Sequence, residues 1–230
     1  MKQIDFSEFL FSINHKPLCV LNDDIMKAEY VALDLSEDNN ELQYIDVSSS
    51  SKLGNYIDDY IKKHDAKVAF GGYNEIRNIY KRSSYFNINS DSERNIHIGM
   101  DLWCNTEAPV YAPLDATVHS FKNNMNYGDY GPTIILKHHI DTFEFYTLYG
   151  HLSLASIENL KVDQVFKQGE QIATLGDAFV NGDYPPHLHF QIINDLQGFN
   201  GDYPGVCNRM DLAFYLNNCP DPNLLLKLGV

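Results

Sequence analysis

The sequence predicts a mainly β protein preceded by a small α+β region, and three observations carry that reading. Thr133 to His138 and Phe143 to Tyr149 are short β-branched and aromatic runs separated by His139 to Thr142, which reads as two adjacent strands joined by a turn. Asn181-Gly182 and Asn200-Gly201 are turn signals, because both residue types tolerate positive φ. The 15 Tyr and 13 Phe among 230 residues suit the core of a sheet.

In chain order, residues 1–82 read as an α+β accessory region. Ala28 to Leu33 and Leu42 to Val47 have the composition of strands, and Ser51 is placed to cap a helix running through Lys63. Leu53, Ile57, Tyr60 and Ile61 fall on one face of that helix. A polar stretch over residues 83–93 reads as a connector. Residues 94–230 form the β-rich part, with a C-terminal helical tail that includes a short helix over Cys207 to Asn217, closed by Cys219-Pro220-Asp221-Pro222.

Composition narrows the function classes. Thirty-one acidic side chains against 17 basic ones give a net charge of −14. Nucleic acid is therefore not an expected partner, because binding it needs clustered Lys and Arg to displace counterions. The same charge disfavours steering towards an anionic cell wall. Met1 to Glu8 lacks the long apolar core of a secretory signal, and no stretch approaches a spanning helix, so a cytoplasmic protein with no membrane association is expected. Cys19, Cys104, Cys207 and Cys219 show no C-x-x-C spacing and are expected as free thiols.

The chemistry lies in the histidines. His97 and Asp101 are four residues apart, and His187-Leu188-His189 follows far downstream. Two imidazoles and a carboxylate can supply three ligands to one tetrahedral zinc and leave a fourth position open, as in catalytic rather than structural sites. Between the two blocks, Tyr149-Gly150-His151-Leu152-Ser153 offers a further imidazole at the end of a strand-like run. Strand alternation puts His187, His189 and Gln191 on one face and Leu188, Phe190 and Ile192 on the other. By the same rule Thr147, Tyr149 and His151 share a face, which makes Tyr149 a further donor candidate. Taken alone, each block also reads as a structural hydrogen-bonded pair or as solvated strand residues; their ordered combination favours a metal.

These blocks resemble the lysostaphin-type (LytM-like) zinc metalloendopeptidases, whose pattern runs H-x-G-x-D, then an aromatic-x-H-L-S, then P-H-L-H-F. Here the matching segments are His97 to Asp101, Tyr149 to Ser153 and Pro186 to Phe190, with Ala108 to Pro113 and Gly169 to Gly176 similar between them. The resemblance implies an antiparallel β-sheet core, barrel- or sandwich-like, holding one Zn2+ per chain on His97, Asp101 and His189. It also implies that His151 and His187 are unligated catalytic histidines, and that a peptide or peptide-conjugate amide bond is hydrolysed by zinc-activated water. His138 and His139 have no ligand role in the family and read as strand-end or outer residues. Latent members place a preceding segment over the groove, which makes Asn74 and Glu75 candidates for an oxygen at the open position.

The chain departs from the family at Asp183-Tyr184-Pro185-Pro186, where a glycine-rich approach is usual, and loops Lys122 to Pro132 and Asp177 to Pro186 are expected to wall the groove. More narrowly, Gly72 to Arg77, Tyr149 to Leu152 and Cys219 to Leu225 resemble a metallopeptidase-like domain fused to class III aminotransferases. That context favours an intracellular substrate other than intact cell wall, and the missing signal and net charge of −14 make a small soluble peptide or muropeptide-like fragment the expected substrate. Two rival classes compete with the enzyme. One is a non-catalytic zinc-binding or scaffold module of the same fold, and the other a histidine phosphocarrier of similar architecture.

Overall fold

The computed structural model describes residues 5–13, 18–21, 25–83 and 93–229. Most of the expected connector, residues 84–92, lies outside the described residues. Helix α1 (Phe6–Ser12) buries Phe9 and Leu10, and the Phe9 ring stacks on Phe143 at 3.9 Å. Strand β1 (Tyr30–Ala32) is followed by helix α2 (Ser50–Lys63), strand β2 (Val68–Gly71) and the short strand β3 (Glu75–Ile76). Ser49 rather than Ser51 caps α2, its hydroxyl accepting from the Lys52 amide at 3.4 Å. Leu53 and Ile57, one turn apart, are the buried residues of that helix.

Two expected strands change here. Leu42 to Val47 is not a strand: Asn40–Tyr44 is a 3-10 turn, held by the Asn39 side chain accepting from the Glu41 amide at 3.0 Å. Local side-chain bonding has beaten β propensity. The strand expected over Ala28 to Leu33 shortens to β1, because Lys27–Glu29 is a 3-10 turn whose Glu29 carboxylate accepts from the Met26 amide at 2.8 Å.

The β-rich part follows as β4 (Ile96–His97), β5 (Met100–Trp103), β6 (Pro109–Tyr111), β7 (Ala116–Asn124), β8 (Gly131–Ile140) and β9 (Phe143–Gly150). Asp141, at φ 54°, turns β8 back into β9, so the expected turn is real but tighter. A short helix α3 (Ala155–Glu158), strands β10 (Val165–Phe166), β11 (Gln171–Thr174), β12 (His187–Ile193) and β13 (Val206–Cys207), and helices α4 (Leu212–Asn218) and α5 (Asn223–Leu226) complete the chain. The helix expected over Cys207 to Asn217 is α4, shifted because β13 takes Val206 and Cys207.

Eight strands form one open sheet in the order β1-β2-β5-β12-β9-β8-β7-β10. Among the described residues, only the β1–β2 pair of this sheet is parallel; its other pairs are antiparallel. The smaller β6–β11 sheet contributes Val110, Ile172 and Ala173 to the same apolar core as Met100, Leu102, Leu188, Phe190 and Ile192, which makes the mainly β core sandwich-like. The other face of β5 and β12 carries the chemistry. Trp103 there belongs to a second apolar cluster with Leu33, Leu53, Ile57, Ile79, Tyr80 and Tyr184. The segment before residue 83 therefore supplies strands to the main sheet and apolar cover to its functional face.

Candidate metal centre

Strand register brings the candidate ligands together. His189 on β12 pairs directly with Asp101 on β5, so both side chains leave the same face of the sheet. His97 arrives from β4, just before the chain turns into β5, and belongs to a separate three-stranded sheet with β3 and β13. The intervening Gly99 is a steric requirement: a Cβ there would lie 2.5 Å from the His189 ring.

The three donor atoms lie within 4.8 Å of one another. His97 Nε2 is 2.9 Å from His189 Nδ1, and Asp101 Oδ1 is 3.3 Å and 3.2 Å from the same two nitrogens. Tetrahedral zinc with bonds of about 2.0–2.1 Å separates its ligand atoms by about 3.3 Å, so this triangle has the right size.

The outer hydrogen bonds settle which nitrogens face inward. His97 Nδ1 donates to the Gly72 carbonyl at 2.8 Å. His189 Nε2 donates to Gln191 Oε1 at 2.9 Å, and Gln191 presents its oxygen there because its amide nitrogen is spent on the Pro204 carbonyl at 3.1 Å. Both inward nitrogens are left with lone pairs. Two such nitrogens and a carboxylate oxygen facing one another in a buried site repel unless a cation sits between them. This donor set fits zinc.

Burial shapes the charge states. His97, Asp101 and His189 are each 2% exposed, His187 4% and His151 5%. Burial pushes His97 down to about 4 despite the opposing pull of Asp101. Burial works against ionised Asp101, yet His97 and Arg77 together hold its carboxyl well below the usual range. Its second oxygen, Oδ2, accepts from Arg77 Nη1 at 2.5 Å.

His151 and His187 stand beside this triangle, with ring centroids 4.2 Å apart. His151 Nδ1 donates to the Asn181 carbonyl at 2.8 Å, and His187 Nδ1 to the Pro185 carbonyl at 2.7 Å. Each keeps Nε2 as a free acceptor, and His187 Nε2 is 3.7 Å from Asp101 Oδ1. Burial lowers both; for His151 the neighbouring His187 and His189 add to it. Both are neutral bases at physiological pH.

Thr147 and Tyr149 share a face as expected, but His151 does not. Tyr149 pairs with Phe190 in the apolar core and lies 3.0 Å from the Thr147 hydroxyl, so it is not a donor at the site. His151 reaches the opposite face because its backbone is left-handed, φ 63°, which breaks the alternation after Gly150. Such a conformation costs on the order of 1–3 kcal/mol and persists only where its surroundings enforce it. Here the His151 amide donates to Tyr130 O at 2.9 Å and its carbonyl accepts from the Gly176 amide at 2.9 Å.

A cavity of about 240 Å3 opens over the five residues. Gly128, Asp129 and Tyr130 line it from one expected wall, Tyr184 and Pro185 from the other, and Leu35, Leu53, Ile79 and Tyr80 from the segment before residue 83. Neither Asn74 nor Glu75 is directed to the metal position. Asn74 is exposed, and Glu75 spends one oxygen on the Leu35 amide at 3.1 Å and the other on Arg77 Nε.

Residues 95–201 match the model of peptidase family M23. Among solved structures, the chain is similar to the catalytic domain of lysostaphin from Staphylococcus simulans, at 22% identity and TM-score 0.40, over 70% of this chain and 96% of that one. A zinc containing peptidase from Vibrio cholerae is 27% identical, with TM-score 0.34, over 46% of this chain and 30% of that one. A Pseudomonas aeruginosa protein assigned to peptidase M23 is 18% identical, with TM-score 0.38, over 57% of this chain; the match spans 44% of that longer chain. No protein of curated function matches the sequence.

Within and around the M23 segment, several residues that shape the site escape a reading of motifs. Arg77 closes the Gly72 to Arg77 block of the narrower resemblance, but nothing in the sequence showed that it reaches Asp101. Gln191 was placeable on the His189 face by alternation, but its contact with Nε2 was not. Tyr130, whose hydroxyl is 3.4 Å from His189 Nε2, comes from a loop expected to wall the groove, but its approach to that nitrogen has no sequence signature. His138 is neither a strand-end nor an outer residue of the site: it is buried in the core on β8, stacked on Phe145 at 4.9 Å.

Proposed function

We propose that this protein is a zinc-dependent hydrolase of the M23 type that cleaves an amide bond in a peptide or peptide conjugate. The observation that carries the reading is the convergence of three buried acceptor atoms, on His97, Asp101 and His189, beside two histidines whose Nε2 atoms remain unspent. One Zn2+ on the three ligands would supply positive charge that lowers the pKa of a water and polarises a scissile carbonyl.

The remaining work falls to the protein. His187 Nε2, neutral and next to the ligand triangle, accepts a proton as the nucleophile forms and returns it to the leaving amine. His151, once protonated, can donate from Nε2 to the oxyanion of the tetrahedral species. Trp103, stacked 5.9 Å from His187, and Tyr184, edge-on to both catalytic rings, exclude water and hold the imidazoles in place.

The cavity supports a small substrate. Its walls include Leu35, Leu53 and Ile79, so the ligand face is bounded on the side of the preceding segment, which suits a short peptide or muropeptide-like fragment. The net charge of −14 supports the same choice over an anionic polymer, and we place the activity in the cytoplasm on that basis.

The test is turnover of a short-peptide library by protein stripped with chelator and then reloaded with zinc, with products read by mass spectrometry. Cleavage restored by zinc and lost in His187→Ala is expected. One bound zinc per chain with no cleavage would instead assign a non-catalytic zinc-binding module.

A further inference from the structure

Arg77 is the buried charge that the proposed reaction leaves unused. It is 4% exposed and lies between two carboxylates, with Nη1 on Asp101 Oδ2 at 2.5 Å and Nε on a Glu75 oxygen. Its guanidinium also sits 5.5 Å over the Trp103 ring. The backbone is shaped around it. Gly72 has φ 98°, and a Cβ at that position would lie 1.9 Å from Arg77 Nη2 and 2.9 Å from His97 Nδ1. The same Gly72 accepts from His97 through its carbonyl. Register ties the segment down further, since Gly71 pairs with Asp101 and Glu75 with His97.

We propose that Arg77 is a positioning residue for the metal ligand Asp101, and that the segment preceding residue 83 thereby forms the outer shell of the metal centre. The inference rests on the zinc reading above. With Oδ2 held by Arg77, Asp101 presents Oδ1 alone to the ligand triangle, so it ligates through one oxygen. Sharing the guanidinium with Glu75 keeps Arg77 from neutralising Asp101 completely, and the carboxylate stays an effective donor. A lysine cannot reproduce this, because its single ammonium lacks the planar fork that bridges two carboxylates. The preceding segment thus supports the site through Arg77 and Gly72 instead of plugging it through Asn74 or Glu75.

The experiment compares the full chain with Arg77→Met and Arg77→Lys. Zinc affinity is measured by competition with a chromogenic chelator, and coordination by the visible absorption of the cobalt-substituted protein. Both variants are expected to bind zinc about 10–100-fold more weakly, the usual cost of losing an outer partner of a metal ligand. Their cobalt spectra are expected to shift towards higher coordination, as the freed Oδ2 joins Oδ1. A merely structural Arg77 would lower the melting temperature in chelator and leave affinity and cobalt spectrum at parent values, which overturns the proposal. Should Arg77→Met fail to fold, Arg77→Lys decides on the same two readouts. A parent protein that binds no zinc would remove the zinc reading itself, an outcome distinct from a parent that binds zinc and variants that match it.

Discussion

Replacing Asp101 separates a metal centre from a buried hydrogen-bond cluster. Asp101 Oδ1 lies 3.2–3.3 Å from the two inward nitrogens of His189 and His97, and Oδ2 holds Arg77. In Asp101→Ala the triangle loses its only anion, and tight zinc binding should disappear. Zinc at about 1,000 times its Kd stabilises a folded protein by about 4 kcal/mol. For a chain of this size that corresponds to a rise in melting temperature of about 8–16 °C. The parent should show that rise and Asp101→Ala should not. The alanine variant should also melt lower in chelator, because buried Arg77 keeps only one of its two carboxylate partners. Asp101→Asn isolates the metal effect: its amide oxygen can still accept from Arg77, so the melt in chelator changes less while the zinc response is still lost. Differential scanning calorimetry with and without zinc reads both quantities. A zinc-dependent rise of parental size in either variant would refute the ligand assignment.

Further outcomes follow from the same geometry. His151→Ala and His187→Ala should retain stoichiometric zinc and lose about 100-fold or more of the hydrolytic rate, since each removes a proton-transfer or oxyanion contact; parental turnover in both would end the catalytic assignment. His138, pushed down to about 4 by burial, stays neutral in the fold while the unfolded chain protonates near its ordinary 6.5. Its contribution is therefore complete above about pH 6.5 and falls by about 3 kcal/mol on the way to pH 4, and His138→Gln should flatten urea-measured stability over that window relative to the parent. Equal acid losses in the two proteins would show that His138 is not the group responsible. Short soluble peptides should be turned over faster than intact cell walls, and fractionation should recover the protein from the cytoplasm; efficient wall lysis by protein found outside the cell would contradict both expectations.

The fold was legible where a run of residues had one dominant force acting on it. Thr133 to His138 and Phe143 to Tyr149 became the centre of the sheet because strand propensity and burial agree there, and both lie within β8 and β9. Leu53 and Ile57 could be placed on the buried face of α2 by period alone. Leu42 to Val47 failed because the decisive force was a single side-chain bond from Asn39, which no periodicity records. The joining of β2 to β5 was equally out of reach, since a four-residue apolar run does not name its partner.

At the site, the five motif residues do come to one place, yet alternation explains only half of how. It holds along β12, where His187 and His189 leave one face while Leu188 and Phe190 leave the other. It fails along β9, where Tyr149 faces the core and His151, two residues later, faces the site. The cause is the left-handed turn at His151, and its origin is distributed. Gly150 lies against the Tyr130 ring, with a Cβ there only 2.6 Å from it, while the His151 amide and carbonyl are held by Tyr130 and Gly176. Each is a long-range contact. A motif can therefore name the residues that converge, but the orientation of His151 is imposed by the loops around it, and so is the shape of the pocket it faces.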